Sequence, residues 1–139
     1  CRRPARRRTV LRHRSERGLS ETVVFDSSAF IDLFEVKKTA FTYWRRADRG
    51  ALRLIFPATA IAEANISLRA SYDAWSALLW PEAINVAPLD TSAAIEAGLR
   101  HDYSLGTSHV VHEARSVQGY VLTADPDRYV GTSVPVLVL

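Results

Sequence analysis

The chain reads as an α/β domain built on a mostly parallel sheet with helices covering both faces. Three observations predict this. Short apolar runs at 22–26, 52–56 and 120–123 alternate with stretches whose apolar residues recur at helical spacing. Two of those runs end on an isolated acid, Asp26 and Asp125, as strands do where a parallel sheet delivers side chains to its carboxyl edge. At 139 residues and 47% hydrophobic content, the chain can bury one real core.

Residues 1–21 stand apart from residues 22–139. They carry eight arginines against Glu16 and Glu21, a net +6, while the remainder carries ten basic and thirteen acidic residues, a net −3. This head has no periodic apolar pattern and is expected to be disordered. Its arginines suit a nucleic-acid-binding arm. The absence of methionine, even at the first position, instead suggests that these residues lie upstream of the true start or that the chain is a fragment.

The domain proper opens on Val23-Val24-Phe25-Asp26-Ser27-Ser28-Ala29-Phe30, a buried strand followed by a helix holding Ala29, Phe30, Leu33 and Phe34. Taken alone, Asp26 suits a site at the strand end and a helix cap equally well. The next helix, about 37–49, holds Lys37, Lys38, Arg45, Arg46 and Arg49 against Asp48, half of the domain's ten basic residues. The cations are read as a surface for phosphates, and Trp44 as core.

Leu52 to Phe56 is a strand, and Pro57 suits the first turn of the helix after it. Glu63 is the lone charge between Leu54 and Leu68, so it is expected to be half-buried and to need a basic side chain or a metal as partner. A helix from Tyr72 to Trp80, a strand around Asn85–Pro88 and a helix capped by Asp90 follow. Thr107 or Ser108 begins the next helix, which stops near Gly119. Tyr120–Thr123 then runs out onto Asp125, residues 127–129 turn, and Val134–Leu139 closes the sheet.

With one cysteine no disulfide forms within the chain, and no apolar run approaches the roughly 18 residues that span a bilayer. A cytoplasmic, soluble protein is expected. His109 and His112, three apart on a helix, lack a third zinc ligand. Ser27 and Ser28 have no base, and no glycine-rich phosphate loop is present.

Asp26, Glu63 and Asp125 remain as acids of unusual context. Carboxylates gathered in one cleft repel each other, and a hard divalent cation removes that cost; oxygen-only ligation suits Mg²⁺ or Mn²⁺. The chemistry expected is metal-assisted phosphoryl transfer. With these partners Asp26 becomes a metal ligand, and capping passes to Ser27 and Ser28.

The motifs Val-Val-Phe-Asp-Ser-Ser-Ala-Phe-Ile-Asp-Leu, Phe-Pro-Ala-Thr-Ala-Ile-Ala-Glu-Ala and His-Val-Val-His-Glu-Ala before Val-Leu-Thr-Ala-Asp-Pro-Asp carry a resemblance. In order and spacing they resemble the PIN domain family, as in VapC-type toxin ribonucleases of toxin-antitoxin pairs, over essentially all of residues 23–139. The resemblance implies a three-layer α/β/α domain and a Mg²⁺- or Mn²⁺-dependent endoribonuclease. Asp26 and Asp125 would be metal ligands, Glu63 a ligand or the residue that orients water, and Thr123 and Ser27 supports.

The clustered Lys37, Lys38, Arg45 and Arg46 are then expected to hold the RNA backbone, and the resemblance further implies a second copy of the chain and a small antitoxin blocking the cleft. Thr107 departs from the pattern, standing where another aspartate is expected, 18 residues before Asp125. Its hydroxyl supports a site but supplies no charge, which lowers the expected metal affinity and turnover. Asp102 is a further candidate from the loop. The alternative is a PIN-fold module that binds RNA or a protein without cutting.

Overall fold

A five-stranded sheet in the order β3-β2-β1-β4-β5 forms the centre, and every neighbouring pair runs parallel. The structure, a computed structural model, describes residues 21–100 and 102–139. The expected disorder of the basic head falls on residues outside this set, Glu21 excepted.

The strands are β1 (Thr22–Phe25), β2 (Arg53–Pro57), β3 (Ile84–Ala87), β4 (Tyr120–Thr123) and β5 (Val136–Val138). The helices are α1 (Ser27–Phe34), α2 (Lys38–Asp48), α3 (Ala58–Leu68), α4 (Tyr72–Leu79), α5 (Thr91–Gly98) and α6 (Leu105–Val117), with a 3₁₀ turn at Pro126–Tyr129. Together they make three layers with the sheet in the middle. None of the helices is long and apolar enough to cross a membrane.

Burial explains why β1 is central. Val23, Val24 and Phe25 are fully buried, the unbroken apolar pattern of a strand covered on both faces. Val24 is in register with Ile55 of β2 and Val121 of β4. Above it, Phe30 meets Phe56 edge-on at 4.7 Å and Trp75 at 5.4 Å between ring centroids, geometry that aromatic pairs prefer. Trp44 packs against this core as expected, its indole N–H donating to the Leu78 carbonyl at 2.9 Å.

Local differences from expectation have physical causes. The cap of α1 is Asp26 itself, whose Oδ1 accepts from the Ala29 N–H at 3.1 Å, so Ser27 and Ser28 are the helix's first residues. Helix α6 starts two residues earlier than Thr107, because the Ser104 hydroxyl caps it by accepting from the Thr107 N–H. Pro57 ends β2 with an extended backbone instead of entering α3. Asp90 caps α5 as expected, accepting from the Ala93 N–H at 2.9 Å.

Because all five strands run the same way, the residues that follow β1, β2 and β4 leave the sheet at one edge. Asp26 sits there directly beside β4, its N–H donating to the Leu122 carbonyl.

Candidate functional site

At this edge Asp26 is held from three sides. Oδ1 accepts from the Ser28 hydroxyl at 2.6 Å and from the Ala29 N–H, and Oδ2 accepts from the Tyr129 hydroxyl at 2.8 Å. Carboxylate and phenol are both buried. Burial, and then the charge and hydrogen bond of Asp26, push the Tyr129 phenol far above its ordinary range, with Arg128 opposing. Tyr129 is therefore a neutral donor at any working pH.

A hydroxyl relay ties Asp26 to the loop that carries Asp125. The Ser28 hydroxyl lies 3.5 Å from that of Thr123 and accepts from the Ala124 N–H at 2.9 Å. Thr123, fully buried, accepts from the Asp125 N–H at 2.9 Å. Asp125 itself is half-exposed, its Oδ2 3.7 Å from Arg128 Nη2.

Glu63 is half-buried, as its isolation on an apolar helix requires, and one of its partners is a backbone group that its isolation did not announce. Its Oε2 accepts from the backbone N–H of Gly106 at 3.0 Å, in the first turn of α6. That turn offers N–H groups with no acceptor inside the helix, at its positive end. A Cβ at position 106 would collide with the Glu63 carboxylate, so the absent side chain makes the seat.

Glu63 lines an open cleft of about 550 Å³ together with Ser27, Asp102, Ser104, Thr107 and Arg128. Asp102 and Thr107 thus share a cleft with Glu63, while Asp26 and Asp125 are not part of its lining. Thr107 is buried, and its hydroxyl oxygen accepts from Ser104 at 3.0 Å.

The basic face of α2 is not brought to this cleft. Lys37 lies 3.2 Å from Glu35 and 4.0 Å from Asp32. Arg46 lies 3.3 Å from Glu21, which precedes β1 and so marks the opposite edge of the sheet. Arg45 stacks over the Phe41 ring at 5.8 Å, and Lys38 opens the same helix. His109 is fully buried between Thr59 and Glu113, so it does not pair with His112 on a shared ligand.

Among the described residues, no three of His, Cys, Asp and Glu gather closely enough to enclose a metal. The donors at this edge are all oxygen, in three carboxylates and neighbouring hydroxyls, which is the chemistry of a hard cation. Mg²⁺ keeps several waters and needs one or two protein carboxylates, so the donor set fits such an ion without a closed cage.

Sequence reasoning missed Tyr129, Arg128, Gly106 and Ser104. An isolated glycine early in a helical pattern signals close packing and could have pointed to Gly106. Nothing local marks Tyr129, whose partner lies 103 residues away.

No family model matches the chain, and no curated protein does. Among solved structures, it is similar to a chain of a toxin-antitoxin complex from Klebsiella pneumoniae, with TM-score 0.62 and 15% identity over 84% of this chain and 96% of that one. It is also similar to a chain of FitAB bound to an IR36 DNA fragment, with TM-score 0.54 and 11% identity over 84% and 94%. A third likeness, TM-score 0.54 at 11% identity over 83% and 96%, is to FitAcB from Neisseria gonorrhoeae. At these identities the likeness is one of architecture, and the architecture of this chain is the three-layer α/β/α arrangement of a PIN-like domain.

Proposed function

We propose that this chain is the toxin of a toxin-antitoxin pair and a PIN-type endoribonuclease that depends on Mg²⁺ or Mn²⁺. The observation that carries the reading is the relay Asp26–Ser28–Thr123, which ties the acid at the end of β1 to the backbone of the loop that carries Asp125 after the adjacent β4, while Ser27 and Arg128 from these two segments line a cleft with Glu63. The likeness to chains of toxin-antitoxin complexes supports the toxin assignment. An antitoxin, a second copy of the chain and RNA are the partners it implies.

Asp26 and Asp125 would hold the ion. When bound, it acts as a Lewis acid that activates water for in-line attack and offsets charge on the departing oxygen. The chain's own residues supply position. Gly106 engages Oε2 of Glu63 and leaves the other oxygen of that carboxylate to orient or accept a proton from water. Thr107 accepts from Ser104, so its own O–H is left to donate to a phosphate oxygen. Arg128, on the cleft wall, meets the charge of the phosphodiester.

A second reading, a PIN-fold module that binds RNA or protein without cutting, draws on Thr107 standing in place of an acid and on Tyr129 occupying Asp26. Incubating the protein with structured RNA in Mg²⁺ or Mn²⁺, beside an Asp26→Ala variant and a chelator control, separates the two. The nuclease cleaves in the first case alone. Cleavage that survives Asp26→Ala belongs to another protein or site, and no cleavage by the parent leaves the binding module.

A further inference from the structure

The cleft presents a problem of charge. Glu63 and Asp102 line it, Asp26 precedes its Ser27 in sequence, and Arg128 is partly spent on Asp125. A polyanion entering there needs cations close by. Of the cations of α2, Lys37 and Arg46 are ion-paired, and none of the five lines this cleft.

Arg100 and Arg115 differ. Among the described residues, neither has a carboxylate oxygen within 4.0 Å. Both line a concavity of about 370 Å³ between α5 and α6, with the imidazole of His112 and the hydroxyls of Ser92 and Ser116. Glu96 is the acid on this lining, which leaves a net positive charge and several donors. Arg100 is half-buried and anchored, its Nη1 donating to the Glu96 carbonyl at 3.2 Å at the C-terminal end of α5, where a cation is favoured.

The concavity starts near the cleft at Arg100 and runs away from it along α6, where Arg115 lies about 12 Å beyond Thr107. The Ser108 hydroxyl donates to the Arg100 carbonyl at 3.3 Å, and Ser108 follows Thr107 of the cleft wall. Asp102, on the same wall, is two residues from Arg100. By contrast, Arg49 and Arg53 share a concavity with Asp48 and Glu82, so their charge is cancelled.

We infer that the Arg100–His112–Arg115 concavity binds the phosphodiester backbone of RNA flanking the cleft. The identity of the polyanion rests on the endoribonuclease reading. Two guanidinium groups take phosphate oxygens in the planar, two-pronged manner that suits arginine, and His112 adds an imidazole N–H. The contacts are to backbone, so the site positions RNA without reading its bases.

The test is binding of a short single-stranded RNA to the full chain in chelator, where cleavage cannot intervene, followed by fluorescence anisotropy over a salt series. The double variant Arg100→Gln/Arg115→Gln should bind about tenfold more weakly, with the slope of log K against log salt reduced by about 1.4 for two lost phosphate contacts. The exposed single variant Arg115→Gln should lose about half of that slope, and it guards against misfolding of the double variant.

Arg49→Gln/Arg53→Gln, with the same charge change, should lose much less. Equal losses in the two double variants would reduce the effect to net charge and overturn the site. So would unchanged binding, or loss of an acidic protein partner with RNA binding intact. Binding that behaves as expected in a parent that does not cut RNA with Mg²⁺ refutes the nuclease reading and leaves this site standing.

Discussion

Glu63 and Gly106, 43 residues apart, are joined by a 3.0 Å hydrogen bond from the Gly106 N–H to Glu63 Oε2, in a space that a Cβ would fill. The carboxylate of an otherwise apolar helix is thereby satisfied by the first turn of another. A long side chain acquires one fixed position from a backbone donor.

Gly106→Ala should displace that carboxylate while leaving the fold intact, because the group in the way is the end of a flexible side chain. Alanine also favours the helix by up to about 1 kcal/mol. The thermal midpoint should stay near that of the parent, while RNA cleavage falls about tenfold or more, towards the level of Glu63→Ala. Parental cleavage by the alanine variant would remove Glu63 from the chemistry.

Tyr129→Phe deletes one donor to a buried carboxylate and changes little else. Leaving the Asp26 oxygen unsatisfied should cost about 1–3 kcal/mol. For a domain of this size that lowers the thermal midpoint by roughly 4 °C per kcal/mol. A midpoint equal to the parent's would mean that water replaces the phenol at no cost.

Thr107→Asp supplies the acid that the family pattern expects at this position. Thr107 is buried, so in chelator the variant should be less stable than the parent. With Mn²⁺ at about 100 times its Kd, binding should return about 2.7 kcal/mol. Thermal midpoints across a Mn²⁺ titration read both effects, and a midpoint indifferent to Mn²⁺ counts against a cation at this cleft.

His109 gives the fold an acid limit. Burial holds its imidazole below the ordinary value of 6.5, with Glu113 opposing. As pH falls, the unfolded chain takes up the proton first. The stability is therefore complete above about pH 6.5 and declines from there down through the folded value, by at most about 1.4 kcal/mol per pH unit. Urea denaturation at pH 7.5 and 5.5 should show this loss in the parent and a smaller one in His109→Gln.

Val36 has φ of 56° in the turn between α1 and α2, a left-handed conformation costly for a β-branched residue. It is exposed, so little packing is at stake. Val36→Gly should raise stability by about 0.5–1 kcal/mol, after the glycine's greater freedom when unfolded is subtracted. A destabilised variant would show that the side chain makes contacts worth more than the strain.

The strands were legible because each carries its signal locally: the run Val23–Phe25 is apolar throughout and fully buried. Glu63 was legible as a lone, half-buried charge, and the structure places Asp102 and Thr107 on one cleft lining with it. The true cap of α1 was not, since Asp26 serves the helix through Oδ1 and Tyr129 through Oδ2, and a sequence does not say that one carboxylate has two duties. The place of Arg46 was not legible either, since clustering in sequence carries no information about which edge of the sheet a side chain reaches, and Arg46 meets Glu21 just before β1.

The bond between Tyr129 and Asp26 spans 103 residues, and it orders events on the ribosome. Strand β1 emerges early but stays unpaired on one side until β4 is made, and Asp26 lacks its last donor until the turn after β4 has left the exit tunnel. Closing so long a loop is entropically late. A nascent chain therefore presents Asp26 without its last donor until β4 and the turn beyond it have been made, so this carboxylate gains its fixed place only after the strands on both sides of β1 exist.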